Sequence, residues 1–309
     1  MYGQFLVIFA LLLTGYFSKR LNLINDEMGR GLSKFIIHVA LPCFIFCKVA
    51  AIEMQAGMWG EFVFAWVLSM AAIFIGGIYA YWYAKLRRFP VDDATTTEVS
   101  VIFPNNGFMG FPIAYIFFGE IGLLYIIANN IALNLTIFSL GVFILRRDSE
   151  KKVSLSSTLR CFLNPNIFAL VIGFAFCYFE LSVPELLDTY LMYVGGVAMP
   201  MAMIVIGSML VGADMLKVIK DRTVSETVIN KNVIMPVLTY FLVIFFPLPD
   251  MVKAMVVFGS CFPTATTVSI LVESEGKNGV LASKILVVST AVSIISLPVA
   301  VNLINLFIL

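Results

Sequence analysis

Charged residues are scarce in this sequence. Of its 309 residues, 13% are Asp, Glu, Lys or Arg, whereas 61% are hydrophobic. Soluble domains carry about 25% charged residues, and this chain lacks the polar side chains that would cover a globule in water. The composition therefore excludes a soluble protein and indicates a chain that crosses a lipid bilayer several times.

Several signatures of pumps and enzymes are also missing. The sequence contains no G-x-x-x-x-G-K-[ST] phosphate-binding loop, no H-E-x-x-H zinc motif and no G-x-S-x-G nucleophile motif. A net charge of +1 gives no reason to expect a nucleic-acid partner. We therefore expect neither an ATP-driven pump nor an enzyme, and any energy used would come from a gradient.

The few cysteines lie in apolar stretches. They predict buried thiols that act as small hydrophobic groups, not disulfides, and neither a metal nor a cofactor is expected. These residues are Cys43, Cys47, Cys161, Cys177 and Cys261.

Apolar runs predict ten transmembrane helices. They lie at about 3–18, 28–50, 59–84, 94–118, 121–146, 158–180, 184–212, 228–247, 251–273 and 280–308. All but two of the 20 basic residues, Lys48 and Lys253, are assigned to the connections after spans one, three, five, seven and nine, and Lys231 is counted with them. The positive-inside rule then places these connections in the cytoplasm and both termini outside a bacterial cytoplasmic (inner) membrane.

Weak internal similarity divides the chain into two halves. Pro42 and Pro200 lie 158 positions apart, and Pro104 and Pro263 lie 159 positions apart. A near-constant offset is typical of transporters built from two structural repeats. We predict two five-helix repeats, and because five is odd they must have opposite membrane orientations. Their ranges are 1–153 and 154–309.

Spans four and nine are each interrupted near the middle. Proline removes a backbone donor and clashes with the preceding turn, glycine lowers helix propensity, and these breakers coincide with Asn or Thr. Two kinks that only shape packing are one interpretation. The other is a pair of broken helices whose half-helix amino termini direct N–H groups at an anion such as a carboxylate. On that interpretation the substrate-binding residues are Pro104, Asn105, Asn106, Gly107, Pro263, Thr264, Thr266 and Thr267.

Polar residues in spans five and ten extend this candidate site. Asn130 and Asn134 share a helix face at i and i+4, and Ser289 and Ser293 occupy the matching positions 159 residues later. They either contact the ligand or satisfy backbone groups freed at the breaks. His38, the only histidine, lies near a helix-breaking proline and either carries a coupling proton or hydrogen-bonds locally.

The crossing of the two broken spans is expected to hold no charged side chain. The nearest acidic residues, Glu98, Glu120, Glu273 and Glu275, lie toward the ends of their spans. An intramembrane charge normally marks an ion pathway, so its absence disfavours a carboxylate-based sodium or proton site. We expect electrogenic anion movement or weak coupling, with Na⁺ and H⁺ as candidate coupling ions.

Five motifs carry a resemblance to a known family. They are Ala40-Leu41-Pro42, the run 104–112, Asn164-Pro165-Asn166, Phe262-Pro263 and Leu297-Pro298. Together they resemble the auxin efflux carrier family, which includes plant PIN carriers and bacterial permeases often assigned to malate or malonate. The resemblance extends over the whole chain.

This resemblance implies an all-α fold like that of sodium/bile acid symporters and NhaA. It implies ten helices, a scaffold subdomain of helices 1, 2, 6 and 7, a transport subdomain of helices 3–5 and 8–10, an elevator-type motion and a homodimer. It also implies that Pro104, Asn105 and Pro263 line the substrate site. A short connection between spans five and six, and Pro-Thr-Ala-Thr-Thr at the break in span nine, differ from the plant carriers and argue against auxin itself.

The leading functional hypothesis is a gradient-driven secondary transporter of small organic anions. Main-chain recognition of a carboxylate leaves little trace in side chains, so malate, malonate and aromatic weak acids stay open as substrates. The alternative is a membrane-embedded sensor or assembly partner that binds a ligand without moving it.

Overall fold

The computed structural model describes residues 2–52, 57–147, 165–211 and 215–309. Within these ranges the chain is helical and contains no β-sheet. The predicted repeat boundary between residues 153 and 154 lies outside the described residues, as do Cys161 and Asn164. The all-α prediction is confirmed for the part of the chain described.

The helices lie close to the predicted apolar runs. They are α1 (Tyr2–Arg20), α2 (Asp26–Ala50), α3 (Met58–Arg87), α4 (Val91–Ile102), α5 (Asn106–Leu145), α6 (Pro165–Tyr178), α7 (Glu185–Met209), α8 (Met215–Lys220), α9 (222–243), α10 (Asp250–Cys261), α11 (Thr266–Ser274) and α12 (Gly279–Phe307). Five of these described helices, α2, α3, α5, α7 and α12, are long and apolar enough to cross a membrane.

Two of these helices differ from the sequence prediction in their extent. Helix α5 includes Gly119, whose φ of 66° interrupts helical geometry, so α5 contains two helices joined near the predicted boundary between spans four and five. Helix α9 begins at Arg222, not at residue 228, because the Asp221 side chain caps it by accepting a hydrogen bond from the Thr223 amide at 3.2 Å. The charged residues at its start therefore belong to the helix, not to a loop.

Three prolines inside these helices follow π-helical turns. The π turns Ile36–Ala40, Asn106–Gly110 and Asn230–Ile234 each end two residues before a proline. Those prolines are Pro42, Pro112 and Pro236. Because proline lacks an N–H group and its ring clashes with the preceding turn of a regular helix, a wider turn there lets the helix continue. The same wide turns present His38, Asn106 and Lys231.

The chain divides into two compact units. Unit 1 comprises residues 1–59, 111–124 and 162–212, and unit 2 comprises residues 60–110, 125–161 and 213–309. Unit 2 has a continuous apolar core built from α3, α4, α5, α9, α11 and α12. The candidate residues in spans four, five, nine and ten all lie in unit 2, whereas His38 lies in unit 1.

Helices α1 and α7 of unit 1 approach each other closely through two glycines. A Cβ atom at Gly15 would lie 1.9 Å from the carbonyl oxygen of Ile204, and one at Gly207 would lie 2.0 Å from that of Leu12. Small residues that bring backbones this near are the usual means of packing membrane helices, because lipid supplies no hydrophobic force between them.

This contact predicts that Gly15→Ala destabilises the protein, because the backbone of α7 must move to admit the methyl group. We expect the free energy of unfolding to fall by about 1–3 kcal/mol, as for other overpacked sites. Thermal unfolding of purified protein in detergent measures the effect.

Gly29→Ala is the matched control, since Gly29 lies within α2 and a Cβ there meets nothing within 4 Å. Alanine favours helix over glycine by about 1 kcal/mol, so this variant should be as stable as the parent or more so. Equal unfolding temperatures for the two variants would contradict the proposed packing.

Candidate functional site

The unwound segments of the two broken spans pair with each other. The Asn105 amide donates to the Pro263 carbonyl at 2.8 Å, and the Ala265 amide donates to the Phe103 carbonyl at 3.0 Å. Pro104 and Thr264 face each other as an isolated antiparallel bridge. The breaks predicted in spans four and nine thus meet at one point. One break lies between α4 and α5, and the other lies between α10 and α11.

Buried side chains fix this crossing from both sides. The Thr264 hydroxyl donates to the Ser100 carbonyl at 2.8 Å, and the Thr264 amide donates to Ser289 Oγ at 3.2 Å. At the break in span four, Asn106 Nδ2 donates to Asn129 Oδ1. The two Thr264 bonds satisfy backbone groups that a regular helix would have paired internally, and the Asn106–Asn129 bond pairs two buried side-chain amides, because buried polar groups without partners are costly.

The close approach of α5 to α10 also requires a glycine. A Cβ atom at Gly259 would lie 2.2 Å from Asn129 Nδ2, so the Asn129 amide packs directly on the backbone of α10. Any side chain at Gly259 would push Asn129 away from Asn106. The sequence pattern singled out the breaks but gave no sign of this contact.

Part of the predicted site forms the buried framework of the crossing. Asn106 and Thr264 have no exposed surface, and Ser289 and Ser293 are buried as well. The Ser293 hydroxyl donates to the Thr290 carbonyl of its own helix at 2.6 Å. The framework residues are Pro104, Asn106, Pro263, Thr264, Ser289 and Ser293.

The remaining predicted residues keep hydrogen-bonding capacity. The side chains of Asn105, Asn130, Asn134, Thr266 and Thr267 have no hydrogen-bond partner among the described residues. Asn105 is 7% exposed, Thr267 is exposed, and the other three are partly exposed. Gly107 is also partly exposed, and a Cβ there would lie 3.3 Å from the Asn130 side-chain oxygen. These groups are available to a ligand without breaking the framework.

The start of α11 offers further donors. Its amino terminus at Thr266 carries no side-chain cap, and the first amides of a helix have no intrahelical acceptor. Buried oxygens of Asn106 and Asn232 likewise find no partner in the described part of the chain. An unsatisfied buried polar group costs about 1–3 kcal/mol, so these oxygens are expected to meet a partner such as water or a ligand in the membrane-embedded protein.

A lysine lies beside the crossing. Lys231, in the π turn of α9, has no exposed surface, and its Nζ lies 3.3 Å from the Ser260 carbonyl of α10. The expectation of no charged side chain at the crossing is therefore wrong, and so is the assignment of Lys231 to a cytoplasmic connection. Both errors have one cause: a lysine at the edge of an apolar run is buried here by a neighbouring helix that the sequence pattern cannot place.

Two acidic residues of unit 2 are paired by consecutive arginines at the end of α5. Arg146 forms a bidentate pair with Glu275, with both distances 2.7 Å, and Arg147 forms one with Glu98 at 3.0 and 3.1 Å. Glu98 is only 2% exposed. Bidentate guanidinium–carboxylate pairs are strong and fix geometry, so these acids are held at one end of unit 2.

Two further predictions concern ions. His38 is exposed, and its Nδ1 lies 2.9 Å from the Lys34 carbonyl of the same helix. The described residues contain no cluster of three His, Cys, Asp or Glu side chains that could hold a metal ion. The cysteines among them, Cys43, Cys47, Cys177 and Cys261, are free thiols.

The apolar helices and the polar crossing together define a class, that of multi-pass membrane transport proteins. A family model described as "Membrane transport protein" matches residues 1–301. The chain belongs to this family, the auxin efflux carriers, and the resemblance seen in its motifs is confirmed.

Individual relatives are distant in sequence but similar in length. A protein of Methanothermobacter thermautotrophicus named "Uncharacterized transporter" is 24% identical over 293 residues, which cover 95% of each chain. A protein of Rhizobium meliloti named "Putative malonate transporter" is 24% identical over 303 residues, covering 94% of this chain and 92% of the relative. A protein of Escherichia coli named "Uncharacterized transporter YfdV" is 24% identical over 198 residues, which cover 60% of this chain and 61% of the relative.

The separation into framework and available residues predicts different effects for two threonines. Thr264→Val removes the hydroxyl bonded to the Ser100 carbonyl without changing side-chain volume, so the free energy of unfolding should fall by about 1 kcal/mol. Thr267→Val, at an exposed position of the same segment, is the control and should leave it unchanged. Thermal or denaturant unfolding in detergent distinguishes them, and equal stability of the two variants would contradict the assignment of Thr264 to the framework.

Proposed function

We propose that this protein is a secondary transporter of small organic anions, which binds the carboxylate of its substrate at the helix crossing in unit 2. The observation that supports the proposal is the set of available donors there: the uncapped amino terminus of α11 and the side chains of Asn105, Asn130, Asn134, Thr266 and Thr267. Backbone amides at helix amino termini are common binding groups for carboxylates and phosphates.

The proposed mechanism is of the elevator type. Unit 1 contains α1, α2, α6 and α7, which correspond to the helices expected for a scaffold, and unit 2 contains most of the helices expected for transport. This division supports a model in which unit 2 moves its bound anion across the membrane. The proposed transporter has ten spans in two inverted repeats. It forms a homodimer in the cytoplasmic membrane, with both termini outside.

Dicarboxylates are the proposed substrate class. The Rhizobium meliloti relative is named for malonate, and it matches almost the whole chain. Malonate and malate are small enough to be held largely by backbone amides and short Asn and Thr side chains. We therefore place them ahead of bulky aromatic acids.

Transport driven by the membrane potential is the proposed energy source. The two acidic pairs at the end of α5, Glu98–Arg147 and Glu275–Arg146, leave no unpaired carboxylate from those residues to carry a proton or sodium ion. Na⁺ or H⁺ coupling would then depend on neutral oxygen ligands or on His38. Uptake that requires a sodium gradient at clamped membrane potential would contradict this part of the proposal.

The test of the site is malonate transport by Asn130→Ala. The substitution removes an amide that makes no hydrogen bond within the described chain, so we expect about tenfold lower uptake into proteoliposomes, equivalent to the loss of one good ligand contact. The unfolding temperature should stay unchanged. Counterflow of labelled malonate provides a second measurement.

Asn302→Ala is the matched control, because Asn302 is exposed on α12 and bonds only to the Pro298 carbonyl at 2.9 Å. It should transport as well as the parent. Unchanged uptake by Asn130→Ala would contradict the assigned site, and malonate binding without counterflow would favour a sensor over a transporter.

A further inference from the structure

Lys231 is the single basic residue without exposed surface among the described residues. Its Nζ contacts the Ser260 carbonyl at 3.3 Å, and no carboxylate of the described chain lies within ion-pair distance. Arg146 and Arg147 of the same unit, by contrast, each pair with a glutamate. A buried ammonium group with only a carbonyl acceptor is energetically costly, so its presence at the crossing calls for a function.

The position of Lys231 relates it to one half-helix. Ser260 lies in the last turn of α10, which ends at Cys261, two residues before the paired segment. The carboxy-terminal end of a helix carries about half a negative charge on its unpaired carbonyls. The Lys231 ammonium group therefore lies on the negative end of α10.

The four half-helix ends at the crossing cancel one another. The amino termini of α5 and α11 each contribute about half a positive charge, and the carboxy termini of α4 and α10 each contribute about half a negative charge. The α4 end is satisfied by the neutral Thr264 hydroxyl, which adds no net charge. Helix dipoles alone therefore give the crossing no net preference for an anion, and the Lys231 ammonium group adds positive charge there in its protonated form.

The neighbour of Lys231 connects the same turn to the unwound segment that follows α10, through Ser289 of α12. Asn232 Nδ2 donates to the Ser289 carbonyl at 3.2 Å and to Ser296 Oγ at 3.3 Å, and Ser289 Oγ accepts the Thr264 amide. The π turn before Pro236 thus anchors α9 to α12 and holds Lys231 against α10. Its ammonium position is set by tertiary packing, not by side-chain flexibility.

We infer that Lys231 makes the crossing selective for anions. Its ammonium group offsets the negative end of α10, so the free amides of α5 and α11 hold a carboxylate without a bound metal cation. Lys231 is thereby a positioning residue: it acts through the electrostatic potential at the crossing and does not need to touch the substrate. This inference rests on the proposed binding of organic anions at the crossing.

The test compares Lys231→Met with Lys231→Arg in the full-length protein. Methionine has similar length and no charge, so malonate should bind at least about tenfold more weakly, which is the effect of losing one unit charge about 12 Å from the carboxylate at an effective dielectric constant of about 20. Arginine keeps the charge and should retain most of the affinity. Binding is measured by thermal shift with malonate titrated against chloride at constant ionic strength.

The stability of the ligand-free Lys231→Met variant distinguishes an electrostatic role of Lys231 from a structural one. Replacing a buried, poorly paired charge by an apolar side chain should leave the unfolding temperature of the ligand-free protein equal or higher. Lys284→Met is the matched control, since Lys284 is partly exposed and pairs with Asp221 at 3.4 Å. It should bind malonate like the parent.

The possible results distinguish a failure of the inference about Lys231 from a failure of the proposed transport function. Equal malonate affinity of parent and Lys231→Met, or a lower unfolding temperature of the ligand-free variant with unchanged affinity, would overturn the inference about Lys231. Binding that depends on Lys231 but without uptake into proteoliposomes would overturn transport and leave the inference standing. A parent protein that binds neither malonate, malate nor an aromatic acid would overturn both.

Discussion

The pairing of two unwound backbone segments at Pro104 and Thr264 is the constraint on which unit 2 depends. Water is absent from the hydrocarbon region of a bilayer, so a broken helix there survives only if protein groups satisfy its amides and carbonyls. Each break supplies the partner that the other needs, through the bonds of Asn105 to Pro263 and Ala265 to Phe103. Two further freed groups, the Thr264 amide and the Ser100 carbonyl, are satisfied by the Ser289 and Thr264 hydroxyls, and the buried amides of Asn106 and Asn129 pair with each other. That is why polar side chains cluster at this point in so apolar a chain.

The same residue types serve two purposes around the crossing. Asn106 and Thr264 are buried and bonded, whereas Asn130 and Thr267 are accessible and have no partner within the described chain. The proposed division between framework and ligand-binding residues therefore runs residue by residue, not by segment. A framework held by its own hydrogen bonds keeps the available groups in place, and such preorganisation favours the proposed binding of a small anion through few contacts.

Sequence reasoning succeeded where the signal was local. Proline with glycine or threonine in the middle of spans four and nine predicted the breaks, because backbone chemistry disfavours helix there in any environment. The equal offset of Pro104 and Pro263 suggested that the breaks belong together. It failed for Lys231 and for the start of α9, because a basic residue at the edge of an apolar run looks the same whether it faces solvent or is covered by α10. No local pattern records which neighbour packs on a residue.

The sequence by itself determined that the chain is helical, membrane-embedded and interrupted at two polar points, since these follow from composition and from the intrinsic behaviour of proline and glycine. Its motifs also identified the family. Only the tertiary structure decided that the two interruptions pair through their backbones, that Asn106 and Thr264 are framework, and that Lys231 is buried against the end of α10. The physical reason is that these properties depend on distances between residues far apart in the chain, such as Lys231 and Ser260 or Thr264 and Ser100, which packing alone sets.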